Sequence, residues 1–419
     1  MLYHIFQSLN EWHIPGARLF NYVSFRFAFA FIASLLISTI WGKNIIMRLQ
    51  KLQIGEVVRD LGLEGQLSKK GTPTMGGIII VLAILIPVIF ICDLTNIYII
   101  LMIITTLIMA TLGFVDDYIK VFKKNKNGLP GKYKIFGQVL LGLIVGISLY
   151  MSPQVVVNKN IEHQHENNTI IKISKEQTKE PVTTIPFVKG HELNYSKVIP
   201  FLDGNTKILL GWAIFIAMTV FVVTMLSNTV NLTDGIDGLA SGNSAIVGVA
   251  LGIFAYVSSH TNIASYLNIM FIPGAHELVI FSGALIGATI GFLWYNSYPA
   301  QVFMGDTGSL TLGGIIGVFA IAVRKELLLP ILCGVFIVEG ISVLLQVGYF
   351  KFTKKKKGAG VRIFKMTPLH HHFQVPTTKD TMSIIKMPKG ALPESKITIR
   401  FFLICIILAV LSIITLKIR

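Results

Sequence analysis

The sequence predicts an all-α polytopic integral membrane protein with about ten transmembrane helices, and three observations carry that prediction. Of 419 residues, 53% are hydrophobic and 14% charged, with a mean hydropathy of +0.68. A soluble chain is usually about 45–50% apolar and about 25% charged. The apolar residues form long runs, such as 97–115 and 401–416, rather than patterned faces. The basic residues crowd into alternate loops between those runs. Disorder, collagen and coiled coil are excluded by the same composition. Residues 1–419 are expected to form one membrane-embedded domain rather than several.

A hydrocarbon core about 30 Å thick needs roughly 20 apolar helical residues. The runs place spans near 20–42, 75–92, 97–115, 134–151, 208–226, 240–258, 277–295, 310–323, 327–350 and 399–417. Thr311, Gly313, Gly314 and Gly317 dilute the eighth, but glycine in membrane helices lets neighbours approach closely. The loop after the first span carries Lys43, Arg48, Lys51, Arg59, Lys69 and Lys70. The loop after the third carries Lys120, Lys123, Lys124, Lys126 and Lys132. The loop after the ninth carries Lys351, Lys354 to Lys357, Arg362 and Lys365, whereas those after the second and sixth carry none. Odd-numbered loops are therefore expected in the cytoplasm, with both termini outside. The net charge of +16 then reads as topology, not as a nucleic-acid surface. Lys354 to Lys357 read most simply as a patch attracted to anionic lipid.

Cys92, Cys333 and Cys405 lie in or at the ends of apolar runs and imply no disulfide framework. Residues 1–19 carry no signal-peptide pattern. Residues 152–207 form a long polar outside loop, and long loops cross largely regardless of charge. Within it 155–157, 170–173 and 182–188 read as short strands, and His163 and His165 as solvated rather than metal-bound.

The polar motifs gather in the loops after spans one, three, five, seven and nine, all on the side that the basic residues mark as cytoplasmic. The segment 69–77 (KKGTPTMGG, with Lys70 and Thr74) pairs lysines with turn backbone suited to an anion. The simpler reading is a turn with topogenic lysines. Asp116 and Asp117 close the third span, where carboxylates oppose the helix dipole; metal binding or proton transfer would justify that cost. Lys120, four residues on, can partner Asp116. In 228–240 (NTVNLTDGIDGLA), Asn231, Asp234 and Asp237 recur every three residues on roughly one face. Carboxylates among glycines suit a divalent cation bound to a phosphate-bearing substrate. In 296–309 (NSYPAQVFMGDTGS), Asn296 opens the loop, Asp306 occupies a glycine-flanked turn, and Phe303 can stack on a base or anchor the interface. His370, His371 and His372 cannot all face one point on a helix, so phosphate contact by some of them is favoured over a metal site.

At these residues the chain resembles the phospho-N-acetylmuramoyl-pentapeptide transferases of the polyprenyl-phosphate N-acetylhexosamine-1-phosphate transferase superfamily. The paired Asp116-Asp117, the NLTDGIDG run and the FMGDTGS run are shared across the superfamily. Segment 71–77 and PLHHHF look like the muramoyl-pentapeptide branch. The resemblance covers nearly the whole chain; its departure is the longer loop 152–207. It implies transfer of phospho-MurNAc-pentapeptide from UDP-MurNAc-pentapeptide to undecaprenyl phosphate, giving lipid I and UMP, with Mg²⁺ required. It implies Asp306 as the magnesium ligand and Asp116 and Asp117 at the catalytic centre, Asp116 the favoured base, with a role as covalent nucleophile as the alternative. It implies Asn231, Asp234 and Asp237 beside the metal, Lys70, Asn296 and Phe303 at the uridine, and the three histidines at the pocket rim. It also implies a homodimer in the bacterial inner membrane.

Two rivals remain open at this stage. A sister enzyme would use UDP-GlcNAc, and 71–77 and the histidine run argue against it. An ion-coupled transporter would place its acidic residues near the bilayer midplane, whereas these aspartates end the spans on one side.

Overall fold

The computed structural model describes residues 16–52, 69, 71–125, 127–165, 168–188, 192–198, 204–378 and 381–417, with Tyr3, Ile5, Phe6 and Ser8. Its transmembrane helices are α1 (Val23–Lys51, with a π turn at Ile37–Trp41), α2 (Gly77–Ile91), α3 (Ile97–Val121) and α4 (Gly131–Met151). After an inserted segment come α5 (Gly204–Thr233), α6 (Leu239–Ser258) and a short α7 (Thr261–Leu267). The chain closes with α8 (His276–Asn296), α9 (Gly305–Ala322), α10 (Gly334–Lys357), the short α11 (Leu369–Gln374) and α12 (Glu394–Ile414). Among the described residues nine helices are long and apolar enough to cross a membrane, and α2 is shorter. The chain is thus a multi-pass membrane protein, and each of the ten expected spans has its helix.

The helices differ from the apolar runs mainly at their ends. α3 continues through Asp116, Asp117 and Lys120, and α5 through Asn228–Thr233, so these polar motifs stand on helix rather than in loops. Residues 327–333 do not begin the ninth helix but form a 3-10 turn and a separate helical turn. Local signals explain several starts. The Asn96 side chain caps α3 by accepting the Tyr98 N–H at 2.9 Å. Pro130 and Pro393 precede α4 and α12, where a missing N–H costs nothing.

α8 and α9 form the buried centre. α8 packs on α1, α2 and α6, and α9 on α3 and α5. Polar side chains pin α8 to α1: Tyr295 Oη donates to the Thr39 carbonyl at 2.6 Å, and Ser38 Oγ to that of Ala288 at 3.2 Å. Arg26 and Glu277, both buried, pair at 2.7 Å between the same helices. An ion with no water needs such a partner.

The insert holds two antiparallel hairpins, β1 (Val157–His165) with β2 (Asn168–Thr178), and β3 (Val182–Thr184) with β4 (Glu192–Asn194). Strands at 170–173 and 182–184 match expectation. Residues 155–156 precede β1, and residues 185–188 lie beyond β3. β1 is mostly polar and lacks the alternation that marks a strand; pairing with β2 overrides its weak propensity. The second hairpin is bolted to the bundle. Thr184 N–H donates to the Arg324 carbonyl at 3.0 Å, Lys325 Nζ to Thr184 Oγ1 at 2.6 Å, and Tyr195 Oη to Glu326 Oε1 at 3.0 Å. Burial pushes Lys325 down to about 8 and Glu326 above the usual carboxylate range.

Candidate active site

Two helix ends meet in a carboxylate cluster. Asp116, Asp117 and Asp306 offer oxygens that all lie within 4.8 Å of one another. Close approach of α3, α2 and α9 makes this possible. A Cβ on Gly113 would lie 2.2 Å from the Asp306 carbonyl, and one on Gly77 2.1 Å from the Gly308 nitrogen. Segment 73–77 runs along the start of α9: Phe303 N–H donates to the Pro73 carbonyl, and the N–H groups of Gly76 and Gly77 to those of Phe303 and Met304, all at 2.8 Å. Thr74 is buried beside Gly305.

The three carboxylates have different surroundings. Asp117 caps α9, accepting from Asp306 N–H at 3.0 Å and from Thr307 N–H and Oγ1 at 2.9 and 2.6 Å. This is the helix-N-terminus preference for an anion, supplied from a neighbouring helix. Asp116 is fully buried and accepts the Leu129 N–H at 2.7 Å. Asp306 is the most open, and Asn231 Nδ2 donates to its Oδ1 at 3.0 Å. Lys120 Nζ lies 2.5 Å from Asp116 and 3.2 Å from Asp306; Lys134 Nζ lies 2.9 and 2.5 Å from the same pair. Three carboxylates against two ammonium groups leave one formal negative charge. A hard-oxygen donor set of this kind fits a divalent cation such as Mg²⁺ or Mn²⁺.

Beside the cluster, the other motifs converge on the end of α5. Asp237 accepts from Lys69 Nζ at 2.7 Å and from Ala300 N–H at 3.0 Å. Lys69 also meets Glu394 at 2.6 Å, and its ammonium stands 5.8 Å from the centre of the Phe303 ring. Burial alone would lower Lys69, but the two carboxylates outweigh it and raise it. Asn296 is spent on the scaffold: it accepts from Gly238 N–H and Ser241 Oγ and donates to the Val302 carbonyl. Asp234 follows α5 in the turn beside Gly235. Lys70 lies outside the described residues.

The three histidines divide. His370 and His371 both direct Nε2 at Gly235, where a Cβ would stand 2.3 and 3.2 Å away. His372 turns elsewhere, accepting Lys365 N–H at Nδ1 and meeting the Met387 carbonyl at Nε2. Burial pushes His371 down to about 4, and the neighbouring His370 and Lys69 act in the same sense. Burial likewise lowers His372. Next to this segment an apolar cavity of about 380 Å³ lies between α10, α11 and α12, with Leu369 and Phe373 on one wall and Arg400 its cation.

Sequence reasoning missed Lys134, Glu394 and the importance of Lys69. Lys134 was absorbed into the start of a span. Lys69 was read within segment 69–77 as a lysine suited to an anion or a topogenic one, not as a partner of Asp237, and Glu394 stands far from any motif and carries no signal of its own.

The glycosyl transferase family 4 model matches residues 99–324, and a signature of phospho-N-acetylmuramoyl-pentapeptide-transferase matches residues 69–81. The phospho-N-acetylmuramoyl-pentapeptide-transferases of Porphyromonas gingivalis and Parabacteroides distasonis are each 61% identical to this chain over the full length of both proteins. That of Flavobacterium psychrophilum is 52% identical, again over the full length of both. With this much identity along the whole chain, and with the matched segments framing the carboxylate cluster, the chain belongs to the phospho-N-acetylmuramoyl-pentapeptide-transferase family.

Proposed function

We propose that the carboxylate cluster is where this chain carries out the transfer of its family. The chain is a transferase that moves phospho-MurNAc-pentapeptide to a lipid carrier, the first membrane step of peptidoglycan synthesis. The donor is UDP-MurNAc-pentapeptide, the acceptor undecaprenyl phosphate, and the products lipid I and UMP. The observation that carries this reading is the meeting of Asp116, Asp117 and Asp306 with Lys120 and Lys134 at one end of the bundle.

Both substrates are anionic, so the chain's first task is to hold two negative phosphates together. Asp306, the most open carboxylate, is the metal ligand, with Asp116 and Asp117 beside it. Bound Mg²⁺ supplies neutralisation of the diphosphate and of the UMP leaving group. Lys120 and Lys134 add positive potential between Asp116 and Asp306. Asp116 takes the proton from the lipid phosphate, its orientation fixed by Leu129 N–H. Asp117 holds the first turn of α9, and with it Asp306, in place. Asn231, Asp234, Asp237, Asn296, Lys70 and Thr74 shape the nucleotide side, with Phe303 stacking on uracil. His370, His371 and His372 close the rim. The apolar cavity beside them suits part of the isoprenoid chain.

The site faces the cytoplasm of the bacterial inner membrane, and the active protein is a homodimer of single-domain chains carrying 152–207 as an external insertion. The test is UMP release by purified protein offered undecaprenyl phosphate and either UDP sugar. Release from UDP-MurNAc-pentapeptide, abolished by EDTA and restored by Mg²⁺, is expected. Release from UDP-GlcNAc alone would assign the sister reaction.

A further inference from the structure

Two of the donors to Asp306 come from neighbouring helices. Lys134, in the first turn of α4, reaches it at 2.5 Å, and Asn231, in the last turn of α5, at 3.0 Å. One turn farther into the membrane, on the same helix faces, stand Gln138 of α4 and Asn228 of α5. Asn228 Nδ2 donates to Gln138 Oε1 at 2.8 Å and to the Thr224 carbonyl of its own helix at 2.8 Å. The seam between α4 and α5 thus carries a polar bond directly beneath the carboxylate cluster.

Stability does not account for that amide. Gln138 is fully buried in an apolar span, and its Nε2 has no hydrogen-bond partner among the described residues. A buried donor left unmatched is costly, so a leucine of similar size would be the cheaper residue here. The rest of the seam is apolar and close. A Cβ on Gly142 would stand 2.6 Å from Val220 Cα, and one on Gly146 3.1 Å from Ile216 Cγ1. On the side of α3, Gly137 lies against the Leu112 side chain. Such contacts have no direction and tolerate a shift or a rotation of α4, whereas a hydrogen bond between two short side chains fixes register. The Gln138–Asn228 bond is the one side-chain hydrogen bond between α4 and α5 among the described residues. α4 packs chiefly along α5, yet the carboxylates that its Lys134 must reach stand on α3 and α9. A slip of one residue moves a helix by about 1.5 Å, enough to take the ammonium away from one of them. We infer that Gln138 is a positioning residue of the transfer reaction: its bond to Asn228 sets the register of α4 against α5 and so holds Lys134 Nζ between Asp116 and Asp306. This rests on the reading of the site given above and adds to it a residue inside a membrane span.

The test measures kcat and KM for UMP release from UDP-MurNAc-pentapeptide, and thermal unfolding, in the wild type, Gln138→Leu, Lys134→Met and the double variant. Gln138→Leu should lower kcat roughly tenfold, the effect of a small misplacement of a charged group. Its KM should stay within about twofold of the wild type and its melting temperature within a few degrees. In the Lys134→Met background the same substitution should cost less than about twofold in kcat, because the group that it positions is gone. Gln138→Met, of nearly the same shape, carries the same comparison if Gln138→Leu does not insert. An equal loss of kcat in both backgrounds would show a merely structural role and overturn the proposal. Wild-type kcat in Gln138→Leu, or a loss confined to KM, overturns it as well. Wild-type turnover in Lys134→Met would instead overturn the reading of the site, and the proposal with it.

Discussion

Lys134 Nζ bridges Asp116 and Asp306, which stand on different helices: it lies 2.9 Å from the first and 2.5 Å from the second. Two carboxylates this close repel each other, and the lysine holds them together. Replacing Lys134 by Met should lower kcat by roughly 100-fold, about 2.7 kcal/mol of transition-state stabilisation. Lys134→Arg should recover part of that loss. UMP release by variants of equal thermal stability measures both, and wild-type turnover in Lys134→Met would remove this lysine from the site.

Asp117 presents both oxygens to the first turn of α9. Asp117→Asn keeps one acceptor and loses the charge. Thermal unfolding in detergent should show a loss of about 0.5–2 kcal/mol, the usual worth of a helix cap, with UMP release abolished. An unchanged melting temperature would show that the cap contributes nothing to stability.

Gly113 leaves room for the backbone of Asp306. A methyl group there must push α3 and α9 apart, at a cost of about 1–3 kcal/mol. Gly113→Ala should insert into the membrane yet turn over at least roughly tenfold more slowly, because small displacements of reacting groups are costly. Full activity would mean that the close approach is dispensable.

His371 has a folded value pushed down to about 4 from an ordinary 6.5. Folding thus favours the neutral ring. The stability linked to this group is present above pH 6.5 and is lost progressively as pH falls toward 4. Melting temperatures from pH 7.5 to 4.5 should decline less steeply in His371→Gln than in the wild type. Parallel curves would place the acid sensitivity elsewhere.

Much of this was legible in the sequence because a membrane demands long apolar runs, and ten of them stand out. The motif residues Asp116, Asp117, Asn231 and Asp306 do meet, since the C-terminal ends of α3 and α5 and the N-terminal end of α9 come together. Helix limits were less legible: polarity at 116–120 and 228–233 resembles a loop, yet the backbone hydrogen bonds continue. Asn296 stands out within its motif, but its scaffold role does not, because the sequence does not show that Gly238, Ser241 and Val302 surround it. Lys134 lay hidden at the start of a span. A lone charge in an apolar run names no partner until the helices are packed.

The most direct measurement is UMP release by Asp306→Ala in vesicles supplied with UDP-MurNAc-pentapeptide, undecaprenyl phosphate and Mg²⁺. The variant should keep the wild-type melting temperature within a few degrees and release UMP more than roughly 100-fold more slowly. Turnover at the wild-type rate would contradict the assignment of the carboxylate cluster as the site of transfer.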